Sequence, residues 1–581
     1  MNAAPTETAF SPFEYYFANL MTRLGGGIPE LKLAAALVCR WQDNGHICLD
    51  LPRACRELHR LPPEEAGALG VPEKLEPRAW AQALRAAPVV GAPGEHCPLI
   101  LNGDRLYLNR LWKGEQELIH RIEELLGSSV EVEEAALREG LASLEALDET
   151  QRLAVAVAAL RRFCIITGGP GTGKTTIISQ ALRLIAAQQP GLRVYLAAFT
   201  GKAVMRLREG LTCEAGLPGE VFTLHRLLGV NPVTGVPRHN EKNPLPCDLL
   251  VIDEASMVDL ELMVTTLRAL QPDARLILLG DQHQLASVGA GNILGDLCGE
   301  RASNVFSPDF TARLARLGFT PVAHETARPL DDAVVVLEKS YRFDSERGIG
   351  RAARLLKDGQ GSRLWNMLSA ASSEEPCRLM TPAPAAELAS LVVEHELDYY
   401  KGLFASADPE EFLHRFRAFA VLCSHRRGTL GAESLNAALE RELQNRALIG
   451  RRGGRYHARP IMVVENDYQL DLFNGDIGVI FHNEACFLNA EGKLVKFSPF
   501  CLPACETVFA MTVHKSQGSE FDRVLLVLAD SASGLLTREL VYTGLTRARE
   551  AVTICAAEET LKMAVRRQVA RVSGLRDHFW G

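Results

Sequence analysis

The chain has 581 residues, 47% of them hydrophobic and 23% charged, with a net charge of −8 and a pI near 6.1. That length predicts three or four domains, and the absence of any low-complexity tract or run of about 18 apolar residues excludes fibrous, disordered and membrane-spanning classes. The acidic balance speaks against a tight, sequence-independent coat on DNA and otherwise leaves nucleic-acid binding open, since phosphate contacts need only local basic groups.

The N-terminus, MNAAPTETAFSPFEYYF, lacks the basic start and apolar core of a signal peptide, so a cytoplasmic chain is expected. Residues 1–115 carry no nucleotide motif and predict a compact α+β domain. Within it, PLILNGDRLYLNRLW (98–112) predicts a β-hairpin turning at Asn102-Gly103, and GEQELIHRIEELL predicts a helix leading out. Fourteen cysteines are present but no CxxC pair, and Cys501 and Cys505 have no matching second pair. Reduced, buried cysteines are expected rather than a metal site or disulfides.

Phe163 begins the strongest signal. FCIIT predicts a buried strand, GGPGTGKTT follows at once, and IISQALRLIAA continues as an apolar helix. Residues 168–175 fit GxxxxGK[ST], the phosphate-binding loop. Gly168, Gly169, Pro170, Gly171, Thr172 and Gly173 form the loop, whose glycines let backbone N–H groups turn toward phosphates at a helix N-terminus. Lys174 would reach the β- and γ-phosphates of ATP, Thr175 would ligate Mg²⁺, and Thr176 completes the loop. DLLVIDEAS then predicts a second buried strand ending in Asp253, placed for the Mg²⁺ shell, and Glu254, a base or water-orienting group for attack on the γ-phosphate. Strands at 163–167, 194–199, 249–252 and 275–279 alternate with helical segments, which predicts a parallel, doubly wound α/β sheet. Between TLHRLLG and that second strand, NPVTGVPRHNEKNPLP (231–246) cannot be helical. It reads as a small hairpin, a candidate duplex-splitting pin, or equally as a surface loop.

A second set of strands follows at 418–424, 524–528 and 552–556. His425, Arg426 and Arg427 end the first of these as a local basic spot; they either meet phosphates or cap a strand end in solvent. Residues 459–499 change to strand-like runs broken by turns, which predicts a small β-barrel insert at about 450–500.

In this order the motifs resemble those of superfamily-one helicases. The resemblance implies two RecA-like motor domains, 116–345 and 346–581. Gln151 in LDETQRLAV stands where that family reads adenine, and Tyr341 in LEKSYRF would stack on it. AAFTGKAVMRL (197–207) and TLHRLLG (223–229) resemble DNA-gripping segments, which implies DNA contacts for Thr200, Lys202 and His225. GDQHQL (280–285) resembles the γ-phosphate sensor, with Gln284 sensing and His283 toward DNA. Arg342 and, in VYTGLTRAR (541–549), Arg547 are implied arginine fingers. MTVHKSQGSEF (511–521) carries Thr512, His514, Lys515 and Gln517 toward DNA and the cleft, with Glu520 meeting the ribose. Phosphoryl transfer needs positive charge at the γ-phosphate, and arginines crossing a cleft between two sheets would tie hydrolysis to its opening and closing.

Beyond the shared motifs, 31–51, 98–112, 240–259 and 465–480 resemble the RecD branch, the alpha subunit of exodeoxyribonuclease V. That resemblance implies a 5′→3′ DNA motor in a heterotrimer with RecB and RecC, acting on double-strand breaks, with residues 1–115 docking onto RecC; read from the residues alone, they also fit a simple stabilising cap. A stand-alone RecD-like helicase would carry helix-hairpin-helix elements in a longer N-terminal region, which are not evident here. A nuclease would need a further carboxylate cluster, not evident after Arg549, so cutting is expected on another subunit.

Overall fold

Strands that are apolar along their whole length are buried on both faces, which parallel sheets require. Phe163–Gly168 and Arg275–Gly280 are buried at every position. A computed structural model describes residues 10–72, 75–212, 219–231, 234–299, 304–372, 374–450, 456–467, 469–489, 492–529 and 534–581. It places these strands in a six-stranded sheet in the order Val334–Leu337, Phe163–Gly168, Arg275–Gly280, Leu249–Asp253, Val194–Ala198, Glu220–Thr223. Every pairing in it is parallel. The carboxyl ends of the three central strands therefore lie side by side, where open α/β sheets bind ligands.

The second sheet is also wholly parallel, in the order Cys377–Met380, Ala548–Cys555, Phe521–Val527, Phe419–Cys423, Ala510–Thr512. Two parallel α/β sheets are the architecture expected from the sequence.

The N-terminal region forms a four-stranded sheet, Cys48–Asp50, Arg105–Leu108, Leu99–Asn102, Val90–Gly91, packed with helices that include Pro12–Leu24 and Pro29–Asp43. The hairpin is present, but its turn sits one residue later than expected. Asn102 pairs with Arg105, so Gly103 and Asp104 form the loop and Gly103 takes the left-handed φ of 61°. The helix Asn109–Gly127 runs through position 115 and buries Leu118 and Ile122 in a core shared with Leu260, Met263 and Leu267 beside the first sheet.

The insert differs in form from a barrel. Arg459–Val463, Ile477–Phe481, Glu484–Leu488, Leu494–Phe497 and Cys505–Thr507 make an antiparallel sheet over its own small core of Ile461, Val463, Ile480 and Phe487. Closure needs the edge strands to pair, and among the described residues no pairing joins Leu494–Phe497 to Cys505–Thr507.

No strand pair forms among the described residues of 231–246. The segment turns from Asn231 to Val236 and holds one isolated bridge, Asn240–Asn243; residues 232 and 233 lie outside the described set. Pro237, Pro244 and Pro246 remove the donors a ladder would need. The described cysteines are all free and most are buried. No described helix is long and apolar enough to cross a membrane.

Candidate nucleotide site and the cleft between the sheets

The loop after Phe163–Gly168 has the backbone of an anion cradle. Gly171 and Gly173 take φ of 77° and 85°, left-handed values that disfavour a side chain. Space demands glycine as well: a Cβ on Gly171 would fall 2.4 Å from Arg342 Cβ, and one on Gly173 2.6 Å from Gln151 Nε2. The Thr172 hydroxyl donates to the Gly169 carbonyl at 2.9 Å. Lys174 opens the helix Lys174–Gln188, and its ammonium donates to the carbonyls of Gly168 (2.5 Å) and Gly169 (3.2 Å). Burial holds its pKa below the usual lysine range, with Asp281, Asp253 and Glu254 opposing that shift. Thr175 and Thr176 follow in the first turn; Thr175 packs against Gly210 of the helix Gly201–Thr212.

Asp253 ends its strand and accepts the Glu254 N–H at 2.8 Å. Burial and the neighbouring Glu254 charge push its pKa up to about 6, against the pull of Lys174. Glu254 itself sits at φ 51°, a left-handed conformation that non-glycine residues adopt at a cost. The donor set of a threonine hydroxyl and carboxylates is hard oxygen, which suits Mg²⁺.

Gln151 and Tyr341 are tied to each other through Asp148. Gln151 completes a capping box with Asp148 and donates to the Thr172 carbonyl at 3.1 Å. The Tyr341 hydroxyl donates to Asp148 at 2.7 Å, and this bond pushes its pKa up to about 12. The Tyr341 ring is half exposed, with the Lys339 ammonium 4.7 Å from its centroid. The segment is fastened to the loop, since Tyr341 N–H donates to Gly171 (2.8 Å) and Ser340 to Pro170 (2.9 Å).

From the second sheet, Arg547 reaches across. It is 2% exposed and donates to Gln284 Oε1 at 2.9 Å, to the Thr543 carbonyl at 3.2 Å and to the Ser519 carbonyl at 3.3 Å. Burial lowers its pKa from the ordinary arginine value, with Glu254 opposing. Gln284 in turn lies 3.5 Å from Asp281. Glu520, whose side chain is 6% exposed, pairs with Arg342 (2.8 Å), Arg549 (3.1 Å) and Arg206.

Four members of this constellation escaped the sequence reading. Asp281 is buried and accepts from the Tyr542 hydroxyl at 2.9 Å, while Lys357 lies over the Tyr542 ring at 5.3 Å. Burial would raise Asp281, but Lys357, His283 and Lys174 hold its carboxyl below the usual range. The fourth, Arg206, lies within AAFTGKAVMRL; Asp281 and Tyr542 likewise lie inside quoted motifs, and only their adjacency in space singles them out.

The residues expected to touch DNA end or follow strands of both sheets. Thr200 caps the helix Gly201–Thr212 by accepting from Ala203 (3.2 Å) and lies where a Cβ on Gly518 would be 2.8 Å away, so it spans the two sheets. The Lys202 ammonium is buried without a hydrogen-bond partner among the described residues, in a cavity shared with Asp476, and burial brings its pKa down to about 8. His225 meets Phe199 edge-on at 5.7 Å, and His283 meets Tyr542 at 6.3 Å. Thr512 and Lys515 line a cavity with Arg426, and Lys515 pairs with Glu506 at 2.7 Å. Arg426 pairs with Glu433 (2.8 Å) and Glu506 (3.3 Å), and Arg427 lies 3.8 Å from Glu433. His514 begins the turn His514–Ser516, its pKa lowered by burial and by Arg571; Gln517 is buried.

Three family descriptions match the chain: "RecBCD enzyme subunit RecD, N-terminal domain" over residues 6–107, "AAA domain" over 151–290, and "UvrD-like helicase C-terminal domain" over 507–555. The chain is 35% identical over 566 residues to RecBCD enzyme subunit RecD of Mycolicibacterium smegmatis, covering 94% of this chain and 93% of that protein. It is 31% identical over 622 residues to the subunit of the same name from Haemophilus influenzae, covering 97% and 96%. Against the ATP-dependent RecD2 DNA helicase of Deinococcus radiodurans the identity is 31% over 477 residues, covering 80% of this chain and 57% of that one.

Proposed function

The chain belongs to the RecD family of RecBCD enzyme subunits, and we propose that it is the ATP-dependent 5′→3′ DNA helicase of that complex. RecB and RecC are its partners in a cytoplasmic heterotrimer that unwinds double-strand DNA ends, and DNA cutting belongs to another subunit. Lys174 and the backbone of 168–173 hold the phosphates, and Thr175 and Asp253 would hold the Mg²⁺ that offsets charge on the β- and γ-oxygens. Glu254 orients the attacking water. Gln151 and Tyr341, joined through Asp148, favour an adenine between them. Glu520 faces the ribose, and Arg342 and Arg547 supply positive charge at the γ-phosphate. Thr200, Lys202, His225, His283, Thr512, His514 and Lys515 act on the DNA strand.

One observation carries this reading: Arg547, rooted in the second sheet, is buried against Gln284 of the first. Through that contact the presence or loss of a γ-phosphate is felt as a change in how the two sheets engage, which is how a hydrolysis site drives a walking motor. Duplexes bearing either a 5′ or a 3′ single-stranded tail test the direction. The purified chain with ATP is expected to unwind only from the 5′ tail. Unwinding only from the 3′ tail would overturn the polarity while leaving the helicase assignment intact.

A further inference from the structure

One carboxylate in the cleft is shared by three arginines. Glu520 is 6% exposed on its side chain, and it contacts Arg206 of the helix Gly201–Thr212, Arg342 of the segment joining the sheets, and Arg549 of the second sheet. Burial would raise its pKa, yet Arg206, the strongest of the opposing charges, and Arg342 bring it down to about 2. A single negative charge thus faces three positive ones at short range in a partly desolvated place, where ion pairing is strong and competitive.

Arg206 is not among the residues proposed to hold the nucleotide or the DNA. Its helix crosses the start of the phosphate-loop helix, where Gly210 packs on Thr175, and Arg206 sits one turn earlier. Its charge is felt by Lys174, Asp253 and Arg547. The contact with Glu520 therefore lies at the edge of the phosphate cradle and crosses between the sheets.

The consequence follows from competition. To place its guanidinium on a γ-phosphate, Arg342 must leave Glu520, to which it is bound at 2.8 Å. The more of the Glu520 charge that is taken up by other arginines, the less Arg342 is held back. We infer that Arg206 is a positioning residue: by neutralising Glu520 from the first sheet it frees Arg342 to move to the nucleotide. The inference rests on the reading of Arg342 as a phosphate-facing finger. Helix Gly201–Thr212 begins with the Thr200 and Lys202 pair assigned to DNA, so the same helix would carry the state of the DNA strand to the availability of Arg342.

The test is steady-state ATP hydrolysis by the full chain at saturating single-stranded DNA, with Arg206→Ala, Arg206→Gln, Glu520→Gln, the double variant Arg206→Ala/Glu520→Gln, and Arg342→Ala. Losing Arg206 leaves Glu520 to grip Arg342 more tightly, so kcat should fall about tenfold, the value of one hydrogen bond to a charged group. A neutral amide at 520 removes the grip. The double variant should therefore regain most of the kcat lost in Arg206→Ala, while its KM for ATP stays raised by the altered ribose contact. A merely structural Arg206 would give the opposite: additive losses with no recovery. Wild-type kcat in both Arg206 variants, or a double variant no faster than Arg206→Ala, would overturn the inference. If Arg342→Ala itself keeps wild-type kcat, the finger assignment fails instead, and the two failures are told apart. Should Arg206→Ala unfold, as read by its thermal melt, Arg206→Gln carries the same comparison.

Discussion

Replacing Arg547 by lysine separates charge from geometry at the contact between the sheets. Arg547 makes three hydrogen bonds, to Gln284 Oε1 (2.9 Å) and to the carbonyls of Thr543 (3.2 Å) and Ser519 (3.3 Å). A lysine ammonium keeps the charge but is a point donor on a flexible stem and cannot reproduce the rigid fork. If one of the three bonds survives, two are lost, and at about 1.5 kcal/mol for each bond to a charged group the cost is roughly 3 kcal/mol. At about 1.36 kcal/mol per decade that is on the order of 150-fold in rate. Arg547→Ala also removes the charge, and an arginine finger contributes about 10³ to 10⁵ in kcat. Single-turnover ATP hydrolysis with saturating single-stranded DNA should thus rank wild type above Arg547→Lys by about two decades, and Arg547→Lys above Arg547→Ala by at least about one. Lysine at wild-type rates would refute the argument that geometry matters. Loss confined to KM would show that Arg547 binds the ground state, not the transition state.

Lys174→Gln keeps the bulk of the side chain and removes the ammonium, so DNA-stimulated ATP turnover should vanish; measurable stimulation in a phosphate-release assay would contradict the loop assignment. Tyr542→Phe deletes one hydrogen bond to buried Asp281 (2.9 Å) and should lower stability by roughly 1.5–3 kcal/mol, seen as a reduced melting temperature that Asp281→Asn does not lower much further. The C-terminal residues 571–581 dock where Asp296 accepts from the Ser573 hydroxyl (2.7 Å) and Glu115 from the Gly574 N–H (2.8 Å), and burial pushes Glu115 up to about 7 and Asp296 up to about 6. A raised carboxyl contributes stability in full below its ordinary value of about 4.5, and that contribution is lost as pH rises through the folded value. Proteolytic release of residues 571–581 should therefore quicken as pH rises from about 4.5 to about 7 and level off above that, and Glu115→Gln should flatten the profile; a flat wild-type profile would rule this out. Deleting residues 232–242 should abolish unwinding while sparing DNA-stimulated ATPase, and equal loss of both would end the pin idea.

Where chemistry dictates residue type, the sequence named candidate residues that the structure brings together. A phosphate cradle needs glycines at Gly171 and Gly173, a cation at Lys174 and a hydroxyl at Thr175, and such a string leaves few alternatives. The parallel sheets were legible for a related reason, because strands buried on both faces must be apolar throughout. Partnerships across the cleft were not. Arg547 and Gln284 are 263 positions apart and Tyr542 and Asp281 are 261 apart, and nothing local in either segment announces its partner. Lys202 shows the reverse difficulty: the resemblance implied a DNA contact, and nothing in the sequence foretold that its ammonium would be enclosed beside Asp476. Turn details failed where one residue decides, as at Gly103, since the hairpin register depends on which residue takes the left-handed φ.

The C-terminal tail is the largest feature that no motif foretold, and it bears on how the motor moves. The chain crosses from the first sheet to the second between Leu337 and Gly348, and after the helix Glu558–Arg566 it returns. Arg571 donates to the carbonyls of Gly289 (2.6 Å) and Gly291 (2.7 Å), just beyond the Gln284 motif. Val572 exchanges hydrogen bonds with the His46–Ile47 segment, and Gly574 N–H donates to Glu115 at 2.8 Å. Leu575 and Phe579 join the core of the first sheet. The N-terminal domain, the first sheet and the tail thus form one packed body, to which the second sheet is attached by two covalent crossings instead of one. A body held at two points can turn about the line through them far more easily than it can slide or twist. Any opening and closing of the cleft must therefore be accommodated by residues 338–347 and 567–570, and it would make or break the Arg547–Gln284 contact that bridges the two sheets.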